Sequence, residues 1–189
     1  MKSIAIFASG SGSNAENLIT HFRKTQCARV SVVLSNNPEA FVLERAKRLD
    51  VPSSCFSRTD FYQSETILAV LKKYKVDYVV LAGFLWLIPS YLIAAFPNRI
   101  VNIHPALLPN YGGKGMFGDN VHKAVVANGE KESGITIHYV NEQYDSGNII
   151  FQAKCALAPG ETPQSLAEKI HELEYKHFPD VVEGLIRQL

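Results

Sequence analysis

Asn102 and His104 stand two residues apart at the end of an apolar run, Ile100-Val101-Asn102-Ile103-His104, which Pro105 cuts off. Side chains two apart on a strand share a face, so an amide and an imidazole would meet at one spot. An acid, Asp145, sits in a turn-forming stretch, Tyr144-Asp145-Ser146-Gly147. These types suit attack on a carbonyl carbon, which builds a tetrahedral centre with negative oxygen. A histidine kept protonated by a nearby carboxylate can donate to that oxygen, and the asparagine amide supplies a second donor. One such donor lowers a barrier by about 3–4 kcal/mol, and the acid can relay a proton, directly or through water. Each residue alone has a plainer reading: a strand-end histidine is commonly structural, and an acid in a turn can be only a turn former. Local pattern alone supports a polar site that stabilises an oxyanion and moves a proton.

A second constellation lies near the start. Ser9-Gly10-Ser11-Gly12-Ser13-Asn14 joins an apolar run to an amphipathic one, and a strand-to-helix turn of this kind gathers free backbone amides at the positive helix end. That makes an anion site, with serine hydroxyls as further donors. Gly10-x-Gly12-x-x-Ala15 also matches the dinucleotide fingerprint, but the next strand ends Ser35-Asn36-Asn37, without the acid that would hold a ribose. No G-K-S/T follows, so a standard triphosphate loop is excluded. Cys27, Cys55 and Cys155 lack an activating neighbour and form no C-x-x-C pair. They read as reduced core cysteines, and transfer without a covalent intermediate is the simpler route. His122, His138, His171 and His177 show no metal-ligand spacing, so no metal is expected.

The elements that position these residues alternate: strand Ser3–Ala8, helix Asn14–Lys24, strand Val30–Ser35, helix Ala40–Leu49, strand Ser53–Phe56, helix Phe61–Tyr74, strand Tyr78–Ala82. A helix near Ser90–Phe96, the strand Ile100–His104, a glycine-rich loop Gly112–Gly118 and a short helix around Val121–Asn128 follow. Two further strands, Gly134–Val140 and Ile149–Lys154, extend the sheet, and Thr162–Leu189 closes it as a helical segment bent at Pro179. This is an α/β fold: one doubly wound, mostly parallel sheet with helices on both faces and mixed strands toward the C-terminus. Ligands of such sheets gather at the carboxyl ends of the strands, where both constellations fall.

The bulk numbers agree with one domain over residues 1–189. The chain is 47% hydrophobic and 20% charged, with 19 basic against 18 acidic residues. No strong field exists to recruit nucleic acid or an anionic membrane. The apolar start, Ile4 to Ala8, is too short for a secretory signal. Tyr78 to Pro97 carries no charge, yet Gly83 and Pro89 divide it into a buried strand and a helix rather than a membrane span. The protein is expected in the cytoplasm, as a monomer or homodimer.

Four segments together resemble the phosphoribosylglycinamide formyltransferases, the folate-dependent enzymes of purine synthesis: Ser9-Gly10-Ser11-Gly12-Ser13-Asn14, Leu81-Ala82-Gly83-Phe84, Asn102-Ile103-His104-Pro105-Ala106-Leu107-Leu108-Pro109 and Asp145-Ser146-Gly147. The resemblance spans nearly the whole chain and implies a Rossmann-like formyltransferase fold. It implies 10-formyltetrahydrofolate as donor, glycinamide ribonucleotide as acceptor, and Asn102, His104 and Asp145 as the catalytic centre. It also implies phosphate binding by Gly10, Ser11, Gly12 and Ser13, and folate seating by Leu85, Trp86, Leu87 and Ile88. By the same resemblance Glu174 faces the substrate amine, Asn141, Glu142, Gln143 and Tyr144 line the pocket, and Arg58 is a candidate folate contact. The chain departs from the family's usual pattern twice. The loop Asn110–Gly118 is longer and richer in glycine, and Trp86 replaces a basic residue that commonly touches the folate.

Other activities fit less well. Formylation of a charged initiator tRNA shares the N-x-H-P-x-L-L-P motif but is expected to need an RNA-binding domain and a basic surface. Formyltetrahydrofolate hydrolases carry an extra amino-terminal domain. A nicotinamide oxidoreductase wants the missing acid, and a non-catalytic nucleotide module leaves Asn102, His104 and Asp145 without a purpose.

Overall fold

The computed structural model describes residues 1–189. Along the first strand, β1 (Lys2–Phe7), Ile4 and Ile6 point into one apolar layer while Ala5 and Phe7 point into another. A strand buried on both faces in this way is the mark of a sheet sandwiched by helices. The other strands are β2 (Ala28–Ser35), β3 (Ser53–Cys55), β4 (Tyr78–Leu81), β5 (Ile100–His104), β6 (Glu132–Tyr139) and β7 (Ile149–Ala156). They form one seven-stranded sheet in the order β3-β2-β1-β4-β5-β6-β7. β1 to β5 are parallel, and β6 and β7 run antiparallel to their neighbours. The chain winds outward from β1 through β2 to β3, then crosses back to β4. The loops after β1 and β4 therefore diverge to opposite faces and open a crevice at their carboxyl ends.

The helices are α1 (Ser13–Thr25), α2 (Phe41–Arg48), α3 (Arg58–Tyr62), α4 (Thr66–Lys73), α5 (Ser90–Ala95), α6 (Asp119–Ala127) and α7 (Pro163–Arg187). α1 buries Ala15, Leu18, Ile19 and Phe22, the spacing of one helical face. With residues of α2, α6 and α7 they make the larger core on one side of the sheet. α3, α4 and α5 supply Phe61, Ile67, Leu71 and Leu92 to the core on the other side.

Two expectations need correction. The stretch Phe61–Tyr74 is two helices. Ser57 and Asp60 cap each other's backbone amides and start α3 at Arg58. Ser64 then takes the Thr66 amide into its hydroxyl, which begins α4 afresh. The closing segment is the single helix α7, which runs from Pro163 to Arg187 with Pro179 inside it. The proline cannot donate to the Tyr175 carbonyl four residues back, and Asn17 of α1 donates to that oxygen instead, at 3.0 Å. The cysteines are free; Cys27 and Cys155 are partly buried against the larger core, but Cys55 is exposed on β3 and is not a core residue. No helix is long and apolar enough to cross a membrane.

Candidate active site

A cleft of about 570 Å³ opens at the crevice. The glycine-serine turn after β1 forms one wall, Gly83-Phe84-Leu85 after β4 another, and Asn102 and His104 of β5 the floor. The loop from Gly113 to Gly118, His122 of α6, Tyr144 and Asp145, and His171 and Glu174 of α7 complete it.

The turn is built to receive an anion. Gly12 is the residue before α1, and no side chain caps the helix, so the first-turn amides stay free for a ligand. Gly12 has φ 74°, and a Cβ there would lie 2.3 Å from Val42 Cγ2 and 2.7 Å from its Cα. Only glycine lets the turn pack on α2 this closely. The Ser9 hydroxyl donates to Asn36 Oδ1 at 2.6 Å and accepts the Leu85 amide at 3.0 Å. One side chain thus ties together the ends of β1, β2 and β4. Asn36, where a nucleotide-binding acid would stand, is a strut of the turn.

Asn102, His104 and Asp145 meet on the floor. His104 Nε2 lies 2.7 Å from the Tyr111 carbonyl; a carbonyl only accepts, so Nε2 carries the hydrogen and Nδ1 is left for the cleft. Nδ1 is 3.6 Å from Asp145 Oδ1. Asp145 itself sits at φ 52°, with Oδ2 accepting the Gly113 amide at 2.9 Å and Oδ1 facing Asn102 Nδ2 at 3.4 Å. Gly147 has no room for a side chain, because a Cβ would fall 1.7 Å from the Tyr139 carbonyl. The turn that carries Asp145 can therefore lie flat on β6.

A fourth residue belongs to this group and sequence reasoning missed it. His138 pairs across the sheet with Asn102. Its Nδ1 donates to the Tyr139 carbonyl at 2.8 Å, so Nε2 accepts from Asn102 Nδ2 at 3.1 Å, and it too lies 3.6 Å from Asp145 Oδ1. Asp145 Oδ1 thus faces two ring nitrogens that carry lone pairs, with one long hydrogen bond from Asn102. The cluster is short of one proton.

Electrostatics follow from that. Burial holds His104 below the ordinary histidine value, against the opposing pull of Asp145 and the Tyr111 carbonyl. Asp145 alone would keep the ring protonated, but desolvation outweighs its charge, and the resting ring is the weaker base. Burial would raise the Asp145 carboxyl, but His138 and His104 when their rings carry a proton toward it, and the Gly113 amide, outweigh burial and hold the carboxyl below its usual range.

On the opposite wall Glu174 Oε2 accepts Asn14 Nδ2 at 2.9 Å and His171 Nδ1 at 3.0 Å. That hydrogen bond holds His171 above its ordinary value, against burial. Asn14 Oδ1 and His122 Nδ1 are buried without a partner, and burial pushes His122 down. Two unsatisfied polar atoms beside a carboxylate form a corner suited to a ligand rich in N–H and O–H groups.

The remaining expected residues divide. Leu85 and Tyr144 line the cleft and are exposed. Trp86 stands behind them in an aromatic shelf, with the Arg58 guanidinium 5.4 Å from its ring centre and 5.0 Å from that of Tyr62. The Leu87 carbonyl accepts the Tyr62 hydroxyl, and Ile88 is core, packed with Phe61 and Leu92. Asn141 folds its own turn, its Oδ1 accepting the Gln143 amide and the Ser146 hydroxyl, while Glu142 and Gln143 point to solvent outside the cleft. No group of three or more His, Cys, Asp or Glu side chains is arranged to hold a metal ion.

Comparison with known proteins agrees with this architecture. A family model described as "Formyl transferase" matches residues 2–182. The chloroplastic phosphoribosylglycinamide formyltransferase of Arabidopsis thaliana is 40% identical over 203 residues, covering 99% of this chain and 66% of that protein. The chain thus spans just under two thirds of that plant relative. The phosphoribosylglycinamide formyltransferase of Bacillus subtilis is 36% identical, covering 98% of this chain and 95% of the relative. Among solved structures, glycinamide ribonucleotide transformylase 1 from Geobacillus kaustophilus superposes with a TM-score of 0.88 at 38% identity, covering 98% of this chain and 99% of the other.

Proposed function

We propose, from the premise that this chain belongs to the formyl transferase family, that it moves the formyl group of 10-formyltetrahydrofolate to the amine of glycinamide ribonucleotide in purine synthesis. The names of its relatives support the substrates. The observation that carries the reading is the proton-short cluster of His104 Nδ1, Asp145 Oδ1 and His138 Nε2, whose His104 and Asp145 line the same cleft as an uncapped helix end.

The amine nitrogen attacks the formyl carbon, and the tetrahedral intermediate carries a negative oxygen and a positive nitrogen. The proton leaving that nitrogen has a ready acceptor in His104 Nδ1, whose other nitrogen is already committed to the Tyr111 carbonyl. Once protonated, His104 becomes a charged donor beside the oxyanion, and Asp145 stabilises it at 3.6 Å. Asn102 turns from its long bond with Asp145 toward the same oxygen. As the carbon–nitrogen bond to the folate breaks, the proton passes to the departing N10, so one proton moves from acceptor to donor and the protein is unchanged.

Gly10, Ser11, Gly12 and Ser13 take the acceptor's phosphate, and Glu174 with Asn14 and His122 takes the glycyl amine end. Phe84 and Leu85 wall the pterin, and the folate tail runs toward Trp86 and Arg58. The three free thiols suit a reducing, cytoplasmic setting. Mixing the protein with 10-formyltetrahydrofolate and glycinamide ribonucleotide and following folate absorbance tests the reading. Release that requires the acceptor is expected, and release that ignores it would make the protein a hydrolase.

A further inference from the structure

We propose that Tyr111 is a positioning residue whose side chain, anchored outside the cleft, aims His104 through its own backbone carbonyl. The proposal rests on the catalytic role given to His104 above.

Tyr111 is a non-glycine residue at φ 57°, a conformation that costs about 1 kcal/mol or more unless its surroundings hold it. They do so from the far side. Its hydroxyl donates to Glu130 Oε1 at 2.6 Å and accepts Asn128 Nδ2 at 2.8 Å, both in the connection between α6 and β6. With the ring fixed there, the backbone turns inward. The Tyr111 carbonyl takes the hydrogen of His104 Nε2, and the Gly113 amide two residues on binds Asp145 Oδ2. The strap therefore decides which nitrogen of His104 holds the hydrogen and which faces Asp145. It also fixes the carboxylate from the same side. No substitution can remove a carbonyl, but loosening its tether lets it drift, and the imidazole loses both its tautomer and its aim.

Tyr111→Phe keeps the ring and removes both tethering hydrogen bonds. Turnover should fall about 10-fold with both KM values within about twofold, because the groups that bind substrate are untouched. The His104 limb of the kcat–pH profile should move to lower pH, since the carbonyl's pull on the ring weakens while Asp145, His138 and Glu174, the other groups that act on His104, stay in place. Nitrogen NMR of the His104 ring should show one tautomer, hydrogen on Nε2, in the parent and a mixture in the variant. Glu130→Gln, which keeps an acceptor for the hydroxyl, should restore most of the activity that Glu130→Ala loses. Parental turnover and pH profile in Tyr111→Phe would overturn the proposal. So would lost turnover with an unmoved limb and a single tautomer, the sign of a merely structural role. His104→Ala separates the two levels: normal turnover there refutes the catalytic role itself, whereas an inactive His104→Ala beside an unaffected Tyr111→Phe refutes only the positioning.

Discussion

Replacing Asp145 by asparagine keeps the side chain's shape and removes its charge. Oδ1 lies 3.6 Å from His104 Nδ1, and the carboxylate is 11% exposed. At an effective dielectric near 20, unit charges at such a distance attract by about 4 kcal/mol. In the proposed mechanism the attraction exists only when the proton has reached His104, so it belongs to the transition state and not to the resting enzyme. Each ~1.4 kcal/mol is tenfold in rate, so Asp145→Asn should lose about 10²- to 10³-fold in kcat, with the lower figure if cleft water screens the pair. KM for both substrates should change by less than about threefold, because no binding contact is removed. The Gly113 amide loses a charged acceptor, which lowers stability by about 1 kcal/mol. Steady-state and single-turnover absorbance at saturating acceptor, with a thermal melt alongside, measure both quantities. A kcat within about tenfold of the parent in a folded variant would refute the charge argument.

Three other outcomes follow from the same geometry. Gly12→Ala places a methyl within 2.7 Å of the α2 backbone at a positive φ, so it should destabilise the fold by about 2–4 kcal/mol in a denaturant titration. His138→Phe should lower kcat by about 10-fold or more, because Asn102 loses the acceptor that holds its amide in register; unchanged kcat would remove His138 from the site. The third concerns pH: His104 and His122 both have folded-state values below the ordinary 6.5. The unfolded chain binds their protons first, so stability is fully present above 6.5 and falls as pH drops below it. His171 has the opposite sign, its contribution lost as pH rises through its raised value. Denaturant midpoints at pH 7.5 and 5.5 should differ more in the parent than in His122→Gln; equal differences would show that His122 is not the buried base described.

The sheet and its order of winding were legible because β1, β2, β4 and β5 are short, largely apolar runs bounded by turns, and alternation with helices leaves few topologies. The split of α3 from α4 was hidden, since it depends on single hydroxyls at Ser57 and Ser64 that compete locally with the helix. Asn102, His104 and Asp145 stood out as polar residues where a strand or turn ends. His138 did not, because it sits within an apolar strand. Only the antiparallel register, which sets it opposite Asn102, gives it a role. Tyr111 was invisible for another reason, as its contribution is made by a carbonyl that every residue possesses. The resting charge of His104 was not legible, because desolvation depends on what packs over the ring, and the sequence names its partner but not its burial.

The most direct measurement uses donor labelled with carbon-13 at the formyl group and follows both products by NMR. Label should appear on the glycinamide nitrogen in step with each folate released, and Asp145→Asn should slow both signals together. Label recovered as formate, or folate released faster than the labelled amide forms, would contradict direct transfer at this site.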